Sequence, residues 1–324
     1  MSGRKETIDA GRISEKETQL LVAVAERYHE FGRTQQEIAD EFRISRPKVS
    51  RLLARAKEEG IVQIKVVNPF SHAREIREEL LKRYGLLDAL VIPSTVSDET
   101  LLTEKIGQAG AVYLAEHLVD GEIIGVGRGR TVYQVVRFLP EKSLPGLSVV
   151  PLTGGLGQAD AYFQVNELAR KAAERLSGRC VYLYAPAMLQ HGTNKRALYS
   201  EPHLKRAVEL WDRLDWAVVG IGAVESPHNA EYFKIMRYLI KTFGAQDAVG
   251  DICLWHFDAK GVIYAKGETL LISITPELLK RTKKVVAVAG SLKKVRAIRA
   301  TLLGGLVNIL ITDERTADGL LQEN

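Results

Sequence analysis

The 324 residues include only two cysteines, Cys180 and Cys253. That excludes a disulfide-stapled scaffold and any metal site built on spaced thiolates. Both lie in apolar surroundings and read as core residues. Long apolar runs are also missing, none nearing the roughly 20 residues of a membrane helix. No charged-then-apolar leader is seen, so a cytoplasmic protein without a membrane partner is expected. Charge of one sign is lacking too: 45 Lys and Arg oppose 40 Asp and Glu, a net +5. The chain is therefore no general nucleic-acid coat, and basic character must be local. No Gly-Lys-Ser/Thr occurs, which removes a P-loop. The stretch GVGRGRT (125–131) fails as a dinucleotide fingerprint, because Arg130 stands where the third glycine belongs and no acidic strand end follows. NAD and ATP are poor candidates; no cofactor and no metal are expected. No internal repeat stands out.

What is present begins with residues 34–60, TQQEIADEFRISRPKVSRLLARAKEEG. The pattern predicts one short helix from an N-cap at Thr34 to Phe42, with Ile38, Ala39 and Phe42 on one face. A second starts from Ser45, carries Pro47 in its first turn and ends at Gly60. Its Val49, Leu52, Leu53 and Ala56 share an inward face, while Arg46, Lys48, Arg51, Arg55 and Lys57 lie opposite. A helix with a buried apolar stripe and a basic outer face suits the major groove. Arg46, Lys48 and Arg51 are placed for base edges, Arg55 and Lys57 for phosphates, and Thr34, Gln35, Arg43, Ser45 and Ser50 complete the expected DNA-facing set. Arg43 occupies the turn position where φ is positive and glycine is usual, at a cost of about 1 kcal/mol. Residues 14–31 form a third helix opened by a Ser14–Glu17 capping box, with Leu20, Leu21, Val24 and Tyr28 covering the other two. Alternation over 61–67 predicts a wing, and residues 1–13 are expected to be disordered.

Length and a 46% hydrophobic content suggest two domains of roughly 67 and 255 residues. The division is a helix-turn-helix (winged-helix-like) DNA-binding domain over 1–67, a linker helix within 68–88, and an effector-binding domain over 89–324. Asn68-Pro69 marks the break, and helix 71–85 turns Ile76, Leu80 and Leu81 to one side, able to join the domains and aid dimers. From residue 89 strands and helices alternate: strands at 89–93, 122–126, 147–152, 180–184, 215–222, 284–290 and 307–312, with helices between them. Buried strands between helices mean an α/β fold with a mostly parallel, doubly wound sheet. Residues 252–274 read as a β-rich insertion turning at Asp258–Gly261.

Glycine loops fall at several strand ends: GVGRGRT (125–131), TGGLG (153–157) and GIGA (220–223). Open α/β sheets bind ligands at that edge, where loop amides and helix N-termini meet an anion. Asn166-Glu167 reads as an ordinary helix start, His191 as a loop residue near the crevice, and Trp211, Trp216 and Trp255 as packing residues.

Taken in order, ISRPKVSRLLARAKEEGIVQI, GVGRGRT, PLTGGLG with NELARKAAERL, YAPA, GIGA, AVGDIC, VAVAGSLKKVRAI and GLVNILITDERTA span nearly the whole chain. In these blocks it resembles the SorC family of bacterial sugar-responsive transcription regulators. The resemblance implies a DNA reader fused to a domain related to the sugar-phosphate isomerase and deaminase fold, a phosphorylated sugar as effector, and dimers or tetramers. By position it implies a pocket of Gly127, Arg128, Gly129, Thr131, Thr153, Gly154, Gly155, Asp251 and Lys293. The residue types agree: glycine amides and threonine hydroxyls can hold phosphate, Lys293 adds charge, and Asp251 can accept from sugar hydroxyls. One departure is Arg128, where many members carry an aromatic residue.

The expected function is an operator-binding regulator of a carbohydrate-utilisation operon, bound to duplex DNA and tuned by a carbohydrate effector; no catalytic residue is assigned. The alternatives are a sugar-phosphate isomerase or deaminase with a DNA-binding appendage, and a helix-turn-helix protein whose large domain only oligomerises. Against the enzyme, no carboxylate–histidine constellation appears near the loops, and fold kinship does not carry activity.

Overall fold

The computed structural model describes residues 15–62, 69–93, 98–157, 164–190, 195–224 and 230–322. The expected disordered leader, Ser14 and most of the wing lie outside these, as does His191. The chain divides into two compact units, residues 1–68 and 69–324.

Three helices build the first unit: α1 (Glu15–His29), α2 (Gln35–Phe42) and α3 (Arg46–Glu58). Their apolar stripes close one core of Leu21, Val24, Ala25, Ile38, Ala39, Val49, Leu52, Leu53 and Ala56. Phe42 is partly buried against it. Tyr28 stays at the rim, 38% exposed, and Ala25 packs where it was expected.

In the second unit α4 (Pro69–Tyr84) packs on the first strand, β1 (Asp88–Ile92), and on the last helix, α13 (Glu314–Gln322). Arg77 bridges to Asp88 at 2.7 Å, and the Tyr84 hydroxyl donates to the Leu320 carbonyl. The helix expected to join the domains is thus part of the larger one. The chain continues through α5 (Glu99–His117), β2 (Ile123–Val126), α6 (Arg130–Phe138), β3 (Ser148–Pro151), α7 (Val165–Arg175) and β4 (Arg179–Cys180). Next come α8 (Lys195–Ser200), α9 (Pro202–Trp211), β5 (Trp216–Val219), β6 (Gly222–Ala223), α10 (Ala230–Phe243), β7 (Gly250–Ile252) and β8 (Trp255–Phe257). Last are α11 (Pro276–Arg281), β9 (Lys284–Val288), α12 (Val295–Leu303) and β10 (Ile309–Asp313) before α13.

Seven strands form one parallel sheet in the order β1-β10-β9-β5-β2-β3-β4. Alternate strand residues feed two cores. Ile124, Val126, Val149, Trp216, Val218, Val286 and Val288 meet α5, α6 and α7. Ala217, Val219, Val285, Ala287 and Leu310 meet α4, α9, α12 and α13 on the other face. From β2 the chain winds outward through β3 to β4, and from β5 the other way through β9 to β10. The β2/β5 junction is therefore the topological switch point, where an open α/β sheet leaves a crevice at the strand C-termini. A small antiparallel sheet, β6-β7-β8, adjoins this edge.

The expected strand at 180–184 is much shorter than its apolar run. After Cys180 the chain leaves the sheet, and Asn166 holds it by accepting from Leu183 N and donating to Leu183 O. Residues 185–187 then pair with Gly155. The insertion carries only β7, β8 and isolated bridges, with Asp258 capping the predicted turn through Lys260 N and Val262 N.

Candidate functional site

Local chemistry sets up the face of the first unit. Thr34 caps α2 through a reciprocal pair with Glu37, which also holds the Glu37 carboxyl below its ordinary range by hydrogen bonds from Thr34. Arg43 ends α2 in the left-handed region, φ 53° and ψ 44°. Arg43→Gly is therefore expected to stabilise this unit by about 1 kcal/mol, read as a higher urea midpoint. Ser45 sits at the extended N-cap of α3 without a side-chain cap bond. Gln35 is half-buried; Arg46, Lys48, Ser50, Arg51 and Lys57 are exposed on α3. Arg55 differs. Its guanidinium, expected to reach a phosphate, contacts Glu17 of α1 at 2.6 Å and Glu59 at 3.7 Å, and so ties α3 to α1.

The second locus is the switch point. Gly127, Arg128 and Gly129 follow β2 directly, and Gly129, φ 118°, turns the chain into α6. Such a φ suits glycine alone. The N-cap residue of α6, Gly129, has no side chain to offer a cap, and the positive end of the helix dipole lies at this edge of the sheet. Thr131 is buried in that turn. Arg128 is buried beside Asp251 of β7: Nη2 to Oδ2 is 3.6 Å, and both side chains are 6% exposed.

The other glycine loop is built differently. Thr153 is buried and its Oγ1 has no hydrogen-bond partner. The amides of Gly127, Gly154 and Gly155, expected to cradle phosphate, are donated to Val218, Ile272 and Ala185 carbonyls. A Cβ on Gly154 would lie 2.5 Å from the Pro186 carbonyl oxygen, and one on Gly127 3.0 Å from that of Val218. Gly127 and Gly154 thus answer to close backbone approach.

The two adjacent lysines, 293 and 294, are placed differently. Lys293 is 64% exposed at its side chain and pairs with Glu99 of α5 at 2.8 Å. Lys294 instead turns inward and donates to the Ile221 carbonyl at 2.9 Å, next to Gly222, the register partner of Asp251. Burial, aided by nearby Arg130, brings its ammonium down to about 8, against the pull of Asp251 and Glu99. A tight 3₁₀ turn, Leu292–Lys294, makes this switch, and it is entered through Ser291 at φ 108°, ψ 136°. That conformation is strained for any residue but glycine. The Ser291 amide is anchored on Thr316 Oγ1 and Asp313 Oδ2. Ser291→Gly should keep those bonds and raise stability by about 1 kcal/mol in chemical unfolding.

One pairing was invisible in sequence. Asp251 faces His256 across β7 and β8, a carboxylate–histidine neighbourhood. His256 is fully buried, and burial lowers its pKa, keeping it neutral. Trp211, Trp216 and Trp255 donate to Pro151 O, Glu122 Oε2 and Ile274 O, which fixes them as packing residues.

Among the described residues no group of acidic, histidine and cysteine side chains could hold a metal, and no helix is long and apolar enough to cross a membrane.

A family model described as a sugar-binding domain matches residues 68–322. The chain is similar to the deoxyribonucleoside regulator of Bacillus subtilis, 32% identical over 96% of this chain and 100% of that protein. It is similar to the sorbitol operon regulator of Klebsiella pneumoniae, 31% identical over 94% of this chain and 98% of the other. The crystal structure of full-length SorC from Klebsiella pneumoniae covers 96% of this chain and 100% of its own at TM-score 0.72 and 30% identity. With most of its length matched by that domain and full-length relatives above 30% identity, the chain belongs to the SorC family of sugar-binding transcriptional regulators.

Proposed function

We propose that the protein binds operator DNA through α3 and that a phosphorylated sugar or sugar alcohol, seated at the switch point, sets how tightly it does so. The observation that carries the effector half is the N-terminus of α6, opened by Gly129 at the C-terminal edge of the parallel sheet, with Arg128, Arg130 and Lys294 gathered near it. Helix-end amides and cations are the natural seat of a phosphate. Asp251 and Thr153 supply acceptors and a hydroxyl for the sugar. Arg46, Lys48 and Arg51 read bases, while Arg43 and Lys57 meet the backbone.

The working form is a homodimer or homotetramer. Two α3 helices then enter successive major grooves of a pseudo-palindrome, about 34 Å apart or a multiple of that. The effector acts as a switch only because it binds the two quaternary states unequally; equal affinity shifts nothing. The large domain is a sensor that does not turn its ligand over.

Fluorescence anisotropy with the protein's own promoter and a scrambled duplex tests this reading, repeated over a panel of pentose, hexose and polyol phosphates. Preference for the promoter, changed by at least one phosphorylated compound but not by its parent sugar, is the expected result. Equal binding to both duplexes under every condition refutes the regulator. Turnover of a pentose or hexosamine phosphate would refute the sensor.

A further inference from the structure

The crevice sets a carboxylate where the proposed effector brings negative charge. Asp251 lies on β7 opposite Gly222 of β6. Lys294 reaches the neighbouring Ile221 carbonyl, and Arg128 approaches Asp251 from the loop before α6. The carboxylate thus has Arg128 beside it and Lys294 within range of its charge. Its charge acts on Lys294, His256 and Cys253, and that of Arg128 acts on the last two. With both side chains 6% exposed, water screens little of this field.

A phosphate on the first turn of α6 would follow Arg128 by only a residue or two. Phosphate and carboxylate repel strongly in such a medium, and a buried charge must be offset by a partner. Yet Asp251 is the residue suited to accept from sugar hydroxyls. The two demands conflict unless something holds the carboxylate's charge in check.

We propose that Arg128 is the counter-ion that lets Asp251 and the effector's phosphate occupy one crevice. It acts on the ligand through Asp251, as a positioning residue. The guanidinium keeps the carboxylate in place beside the bound phosphate, where it continues to serve hydroxyls. The ligand class follows: a phosphorylated sugar or polyol whose hydroxyl-bearing end lies close to its phosphate, so that both meet within this crevice. This inference rests on the phosphate reading above.

The 3.6 Å separation of the ion pair fits that role. It exceeds the roughly 2.7–2.9 Å of a tight charge-assisted bond, so the contact between this guanidinium and carboxylate is an electrostatic one. The pair also ties the loop after β2 to the small sheet, so one ligand contacts both.

Calorimetric titration of the full-length protein with inorganic phosphate, followed by glucose 6-phosphate, tests the idea. R128M should weaken phosphate binding about tenfold or more, and R128K should stay within about threefold of wild type. Removing the opposed charge should undo the damage: R128M/D251N should return to within about threefold of wild type. D251N alone should bind phosphate at least as tightly as wild type, a measurement that stands even if R128M does not fold. Wild-type affinity in R128M, no recovery in the double variant, or weaker phosphate binding by D251N would each overturn the counter-ion role. Wild-type protein that binds neither ligand overturns the phosphate reading itself, and that failure shows in the wild-type titration alone.

Discussion

Arg51→Ala is expected to lower affinity for the operator by about 1–3 kcal/mol, roughly 5- to 150-fold, while random duplex is bound almost as before. The helical periodicity of α3 carries the argument. Val49, Leu52, Leu53 and Ala56 are buried on one side, and the opposite side centres on Pro47, Ser50, Arg51 and Ala54, all exposed. Three of Arg51's exposed neighbours, Pro47, Ser50 and Ala54, are small, so the helix can approach a groove floor with the guanidinium leading. A fork of that kind reads guanine through two acceptors, which is where specificity resides. Arg55→Ala is the contrast. Because Arg55 is held by Glu17 and Glu59, its loss should cost up to about 1 kcal/mol of folding stability and leave the salt slope of DNA binding unchanged. Anisotropy at several salt concentrations, beside urea melts, separates the two. If Arg51→Ala weakened promoter and scrambled duplex alike, base reading would have to be placed elsewhere on the unit.

The helix-turn-helix was legible because its determinants are local. The Thr34 cap, the left-handed Arg43 and the inward stripe of α3 lie within a few residues of what they specify, and each sits in the structure as its spacing indicates. The parallel sheet was legible because buried strands alternating with helices admit few arrangements. Long-range geometry was not. No spacing says that Arg55 meets Glu17, 38 positions away, or that Asp251 and His256 face each other across two strands. Glycine misled for the same reason. Residues 127 and 154 are glycine because distant backbone approaches them, and the sequence cannot tell such a glycine from one that frees an amide. Lys293 and Lys294 differ by one residue of phase that spacing does not resolve: a 3₁₀ turn at 292–294, entered through strained Ser291, swings Lys294 inward and leaves Lys293 outside. A positive φ at a serine marks that turn, and no residue type in the sequence signals it.

Lys294→Met is the substitution with the largest expected consequence for sensing. It should abolish the response of DNA binding to a phosphorylated effector, or weaken effector affinity about a hundredfold, because the loss of a desolvated cation facing a phosphate is worth several kcal/mol. Lys293→Met should change affinity little, since that ammonium is largely in water and already paired with Glu99. The pH dependence follows from the lowered ammonium. Phosphate favours the charged lysine, and the free protein loses that charge near pH 8. Wild-type effector affinity should therefore fall above pH 8, at most about tenfold per pH unit. Folding runs the other way. The unfolded chain keeps its proton up to the ordinary value of 10.5, so it binds more protons than the folded state between about 8 and 10.5, and wild-type stability should rise with pH across that window. Below pH 8 the folded protein holds this partly buried ammonium charged, a cost that methionine removes. Lys294→Met should accordingly melt higher than wild type at pH 7 while being blind to effector, and the pH-dependent gain should vanish from its melting curve. A Lys294→Met protein that still answers the effector, or a Lys293→Met protein that does not, would place the anion on the outer side of the turn.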